Sequence, residues 1–268
     1  MDPYARLVCR WCNGQNANPG QCVLCGAPLD GNNVVTESGW REAPRLRDMT
    51  VIRFGHSTCQ VEGELVPVVE LGLAAGDAVY FEHHCMLWKT DSVPLAVMNL
   101  QGPKRSFFRM PHIVTIASGP GSIAFSRDAA GEIVVLPLHP QMEVDVREHA
   151  FLLASMGVSY SYVRIKGLGS ILRGASGMWL DRFVTGQYQG LLVLHGYGNV
   201  FERFLAPGES IQVEPGSVLY KDASVALQPE GIQLSSGFFG GTTMYLARLT
   251  GPGRVGIQSM YHHHESGE

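Results

Sequence analysis

Three stretches, Val79–Val93 (VYFEHHCMLWKTDSV), Val144–Val158 (VDVREHAFLLASMGV) and Ile211–Val225 (IQVEPGSVLYKDASV), align without a gap at offsets of 65 and 67 residues. Each is an alternating segment, a two-residue break, then an apolar segment ending near a small or acidic turn. Alternation with period two puts successive side chains on opposite faces, so each stretch predicts strand, turn, strand. Arg147–Met156 alone would also fit a helix, but its counterpart in the third copy contains Pro215-Gly216, which argues against one. A second anchor carries the same spacing. Ser118–Phe125 (SGPGSIAF) matches Thr250–Ile257 (TGPGRVGI) at a separation of 132, and the middle copy has Gln189–Leu194 (QGLLVL) there after a short insertion. Phe107-Phe108 and Phe238-Phe239 precede the two GPG turns at nearly equal distances.

A unit of this size with about five strands cannot cover both edges of its sheets. Three units packed about a pseudo-threefold axis can cover one another, and the edges left over favour a ring-like or trimeric homo-oligomer. Composition agrees. Gly 32 and Pro 15 in 268 residues speak for many tight turns and against a helical bundle. Charged residues make up 16%, against an average of about 25%, as expected if another subunit covers part of the surface. The net charge is −4 and only four lysines occur, so a groove that tracks nucleic-acid phosphates is not expected. No apolar run reaches the ~18–20 residues of a membrane span. The first residues carry no apolar export segment, so the expected location is cytoplasmic and the six cysteines are expected to be reduced.

Four of those cysteines form a C-x2-C, x9, C-x2-C array: Cys9, Cys12, Cys22 and Cys25. Two such knuckles supply four thiolates, a closed tetrahedral shell for Zn(2+) with no open position for catalysis. Asn13-Gly14 and Gly26 follow the knuckles and allow the backbone to curl so that amides face the sulfurs. A module of 1–28 has no adequate core of its own, so metal binding would supply most of its folding free energy. Four unligated thiols, a redox pair or an iron site are the weaker alternatives. Residues 29–48 read as a polar linker, 49–261 as the three-repeat core and 262–268 as a tail.

Residues 49–261 resemble the altered inheritance of mitochondria protein twenty-four family (the mitochondrial biogenesis type). The segments that carry the likeness are Leu205–Gly216 (LAPGESIQVEPG), Gly190–Leu194 with Gly196–Gly198, and Leu249–Ser259 (LTGPGRVGIQS). The resemblance implies an all-β fold, a triplicated double-stranded β-helix similar to subunits of the tryptophan RNA-binding attenuation protein. It implies no established enzymatic activity and brings no catalytic residues. The N-terminal zinc ribbon is a departure from the family.

On a strand, Glu82 and His84 would share one face and His83 and Cys85 the other, so the H-x-H ligand geometry of cupins is missing. His149 matches His84 in the second repeat, whereas the third has Gly216. A structural or turn role for these histidines outweighs a metal site. The GPG turns lack the G-K-[ST] of a phosphate loop. The glycine-rich stretch Gly167–Gly177 lacks catalytic spacing. Cys59 reads as a small buried hydrophobe, Trp88, Trp179 and the Phe-Phe pairs as core or interface, and His262–His264 as a frayed tail able to chelate metal. The expected function is therefore a non-enzymatic, self-associating scaffold with a structural zinc ribbon that recruits an unknown protein partner, Trp11 being a plausible contact. The alternative is a cupin-like metal-dependent or small-molecule-binding protein using Glu82, His84 and His149.

Overall fold

Six strands recur three times along the chain. The structure, a computed structural model, describes residues 7–9, 14–16, 20–29, 40–42, 51–99, 113–165, 178–235 and 241–260. Two short hairpins come first: β1 (Leu7–Val8) with β2 (Gln15–Asn16), and β3 (Gly20–Gln21) with β4 (Pro28–Leu29). Then come β5 (Arg41–Glu42), β6 (Ile52–Phe54) and β7 (Ser57–Glu62). The first repeat holds β8 (Val68–Leu73), β9 (Ala78–Phe81), β10 (Met86–Lys89), β11 (Leu95–Asn99), β12 (Ile113–Ser118) and β13 (Gly121–Phe125). The second holds β14 (Gly131–Leu138), β15 (Glu143–Arg147), β16 (Phe151–Ser155), β17 (Val158–Ile165), β18 (Met178–Thr185) and β19 (Gly190–Tyr197). The third holds β20 (Val200–Leu205), β21 (Ser210–Val213), β22 (Val218–Asp222), β23 (Ala226–Ser235), β24 (Gly241–Thr250) and β25 (Gly253–Gln258).

Every repeat is wired alike. Its sixth strand lies between the first and third, and its fifth between the second and fourth, all antiparallel. The third strand bulges at one equivalent place in each copy, between Met86 and Trp88, Phe151 and Leu153, and Val218 and Tyr220. Before it comes a tight turn in which the N–H of Cys85, Ala150 or Ser217 donates to the carbonyl of Glu82, Arg147 or Glu214 at 3.0, 3.1 and 3.0 Å. The break expected from the alignment is thus this turn, and Arg147–Met156 is strand, turn and strand, not helix. The Gly-Pro bonds of the two GPG turns, Gly119-Pro120 and Gly251-Pro252, are both cis. The glycines after them, Gly121 and Gly253, have φ of 144° and 141°, a region that excludes most side chains.

Repeats join through one contact used twice. The second strand of a repeat pairs with the third strand of the next: β9 with β16 (Phe81↔Leu153, Tyr80↔Ala154) and β15 with β22 (Val146↔Tyr220, Asp145↔Lys221). The register is the same under the 65- and 67-residue offsets. These junctions fuse the half-sheets into a six-stranded sheet, β11-β12-β9-β16-β19-β14, and a seven-stranded one, β17-β18-β15-β22-β25-β20-β5. The core fills the space between. Val93, Val158 and Val225, which close the three aligned stretches, are all buried, as are Phe81, Phe151, Phe183 and Tyr220. The span 29–48, expected as a linker, contributes β5, which pairs with β20 and forms the edge of that sheet (Glu202↔Arg41). A third junction, between β21 and β10, would close a threefold. Among the described residues it is not formed, and the half-sheets β10-β13-β8-β7-β6 and β21-β24-β23 end there.

Candidate functional site

The two N-terminal hairpins bring cysteines together. The amide of Cys9 donates to Gly14 O at 2.8 Å and that of Cys22 to Ala27 O at 2.7 Å, while Gly26 N–H returns to Cys22 O at 2.8 Å with Gly26 at φ 72°. At the second knuckle this is the curl that Gly26 allows. The Sγ atoms of Cys9, Cys22 and Cys25 all lie within 4.8 Å of one another, Cys9 and Cys25 at 3.5 Å. That distance is far beyond a disulfide of about 2.05 Å. It approaches the roughly 3.8 Å edge of a sulfur tetrahedron built on Zn–S bonds of about 2.3 Å. The three residues could hold a metal ion. Cys12, the fourth thiol of the array, lies outside the described residues, as do Trp11, Phe107, Phe108, Phe238, Phe239, Gly167–Gly177 and His262–His264. A cleft of about 770 Å³ separates Cys25–Ala27 from the core at Ile52–Gly55, Asp77 and His139.

The second cluster differs from its expected geometry. Residues His83–Cys85 form a single 3-10 turn rather than continuing a strand, so Cys85 comes round to the side of Glu82 and His84. Glu82 is buried; its Oε2 lies 3.3 Å from His84 Nε2 and 3.4 Å from Arg127 Nη1. Arg127 Nη1 also donates to Cys85 Sγ at 3.3 Å, and its Nη2 donates to the carbonyl of His149. Burial pushes the Cys85 thiol up to about 11, against the opposing pull of Arg127. The cluster is thus a half-buried guanidinium held by a carboxylate, a thiol and a carbonyl. His149 enters it through its backbone, at φ 67°, while its ring lies 3.8 Å from Glu148. The side chain of His83 lies outside the description.

A buried polar network lies at the junction of repeats two and three, where periodicity gave no sign of it. Asp145, 1% exposed, accepts from Lys221 Nζ at 2.7 Å across the junction and from Arg182 Nε and Nη2 at 2.6 and 3.0 Å. Burial alone would raise the Asp145 carboxyl, but these bonds from Arg182 and Lys221 hold it below the usual carboxylate range. The alternation of Glu143–Arg147 had shown which residues share a face, not that one of them would be sealed by a neighbouring repeat.

Fold and clusters together define a tandem all-β repeat protein with a candidate cysteine metal centre. The chain belongs to the family described as Mitochondrial biogenesis AIM24, whose pattern matches residues 59–260. A crystal structure of a Streptococcus pyogenes protein from a structural genomics programme is similar, with a TM-score of 0.58 and 20% identity over 76% of this chain and 94% of that one. No curated protein matches the sequence. No helix among the described residues is long and apolar enough to cross a membrane.

Proposed function

We propose that the protein is a non-enzymatic, self-associating scaffold of the cytoplasm. Its N-terminal module holds a structural zinc ion through Cys9, Cys12, Cys22 and Cys25 and offers a surface to a protein partner. One observation carries the self-association: the chain's outer repeats expose what its inner junctions bury. Leu87 and Trp88 on β10 are 54% and 43% exposed, whereas their equivalents Leu152, Leu153, Leu219 and Tyr220 are fully buried. Leu95 and Val97 on the adjoining β11 are exposed as well. Burying apolar area of this kind stabilises association by about 25 cal/mol per Å² before the cost of immobilisation. The zinc assignment rests on thiol chemistry and on the three sulfurs gathered by the hairpins.

Native mass spectrometry across a concentration series tests both parts, since it counts subunits and metal together. Oligomers with one zinc per chain are expected. A monomer throughout would overturn the scaffold. The second reading, a metal-dependent core using Glu82, His84 and His149, would gain from a metal ion retained after Cys9→Ser and Cys22→Ser. Arg127 weighs against it, because a guanidinium between Glu82 and Cys85 stands where a cation would bind.

A further inference from the structure

We infer that copies of this chain join head to tail by pairing β21 of one with β10 of the next, in the register that already joins its repeats. The inference rests on the self-association reading and specifies its interface. Applying the offsets of 65 and 67 residues to the two existing junctions predicts Val213↔Trp88, Gln212↔Lys89 and Ile211↔Thr90, antiparallel. The two half-sheets would merge into one of eight strands, β23-β24-β21 of one copy followed by β10-β13-β8-β7-β6 of its neighbour.

Both edges are already built for this contact. β10 carries the bulge that β16 and β22 carry, with Leu87 at the position of Leu152 and Leu219. On β21, Ile211 and Val213 pack against their own repeat but remain partly open, whereas Val144 and Val146, their equivalents, are fully buried under the next repeat. The polar residues also correspond. Lys89 stands where Lys221 stands in the third repeat, Gln212 where Asp145 stands, and Arg248 faces Gln212 across β24 as Arg182 faces Asp145 across β18. The Asp145–Lys221 ion pair of the internal junction is thus replaced by an amide and an ammonium. Glu230 holds Arg248 at 2.5 and 2.6 Å and also bonds the Gln212 side chain, so Gln212 sits beside a carboxylate–guanidinium pair as Asp145 sits beside Arg182. A glutamine amide in place of the aspartate carboxylate, one methylene longer and uncharged, makes a weaker bond, which suits an interface that forms and dissociates. Such a contact is heterologous, so repetition closes a ring or extends a filament.

The test uses the full chain. Mixing Lys89→Cys protein with Gln212→Cys protein under mild oxidation is expected to give a disulfide-linked dimer containing one of each. Neither variant alone should exceed the wild-type background. Light scattering should show Trp88→Glu losing association at least a hundredfold. Gln212→Asp, which recreates the Asp145–Lys221 pair, should tighten it about tenfold. Trp88 and Gln212 are exposed in the single chain, so neither change threatens the fold. A disulfide that forms within one chain of the double-cysteine variant would overturn the inference in favour of internal closure. So would an oligomer indifferent to both Trp88→Glu and Gln212→Asp, which would leave self-association standing through another face. A chain monomeric at every concentration would sink both this inference and the scaffold reading.

Discussion

Removing Lys221 tests whether the buried ion cluster ties the third repeat to the second. In Lys221→Met, Asp145 loses one charge-assisted bond of 2.7 Å but keeps both bonds from Arg182. The expected cost is about 2 kcal/mol, or a fall in Tm of roughly 4–8 °C for a protein of this size. Asp145→Ala should cost more, about 4 kcal/mol, because it strands a buried ammonium. The double variant Asp145→Ala/Lys221→Met should cost about 2 kcal/mol less than the sum of the two single changes, since it removes both desolvated charges together. Urea denaturation of the four proteins yields the coupling. The pH sign follows from the depressed Asp145 carboxyl. Its contribution is complete above the unfolded value of about 3.9 and is lost as pH falls through the lower folded value. Strict additivity of the two single changes, or a cost below about 1 kcal/mol for Asp145→Ala, would show that the junction does not depend on the cluster.

Three further outcomes are expected. Burial depresses the His195 imidazole to about 4, with the Ala129 carbonyl partly opposing and Arg127 adding to the fall. The protein should therefore lose about 3 kcal/mol as pH drops from about 6.5 to 4, and His195→Gln should flatten that slope in urea midpoints measured against pH. Replacing Gly121 by Ala would put a Cβ within 2.5 Å of the Thr90 and Ser92 hydroxyls at φ 144°, costing about 3 kcal/mol; unchanged thermal melting would contradict the geometry. In zinc-loaded protein at pH 8, a thiol reagent should label no cysteine quickly. Chelation should then open Cys9, Cys12, Cys22 and Cys25, while Cys59 and Cys85, buried and raised to about 12 and 11, stay unlabelled. Mass mapping that finds Cys85 modified first would refute the buried-thiol assignment.

Much of the fold was legible because the repeats are tandem copies. A period-two pattern is ambiguous in one copy, as Arg147–Met156 shows, yet three aligned copies must share one backbone, and Pro215-Gly216 decided for all of them. The GPG matches were likewise legible, since a shared positive φ demands a shared glycine. What stayed hidden depends on who packs against whom. The closeness of Glu82, His84 and Cys85 was not legible because a 3-10 turn and a strand of three residues look alike in sequence but send the third side chain to different sides. Arg127, 42 residues after Cys85, could not be joined to it by spacing. The pairing of β5 with β20 was missed for the same reason: Arg41 and Glu42 carry no apolar pattern, and backbone hydrogen bonds need none.

The ends of the array are where copying leaves a physical signature. A repeat that buries its neighbour's third strand under its own second strand must, at the array's ends, present one of each with nothing to cover it. Single-chain repeat proteins usually blunt such ends with polar capping units and manage open edges with charge, proline or covering loops. β10 instead keeps Leu87 and Trp88, which in sequence are indistinguishable from the buried Leu152-Leu153 and Leu219-Tyr220 pairs. β21 keeps Ile211 and Val213 in the same way. The polar positions have changed: the aspartate of the second repeat is a glutamine in the third, while the lysine facing it is retained in the first. Loss of the interface through drift would erode the apolar residues as readily as the charges. On the inferred head-to-tail pairing, retained apolar edges with a softened ion pair are what a junction used between chains would keep, with a weaker bond where the covalent link is missing.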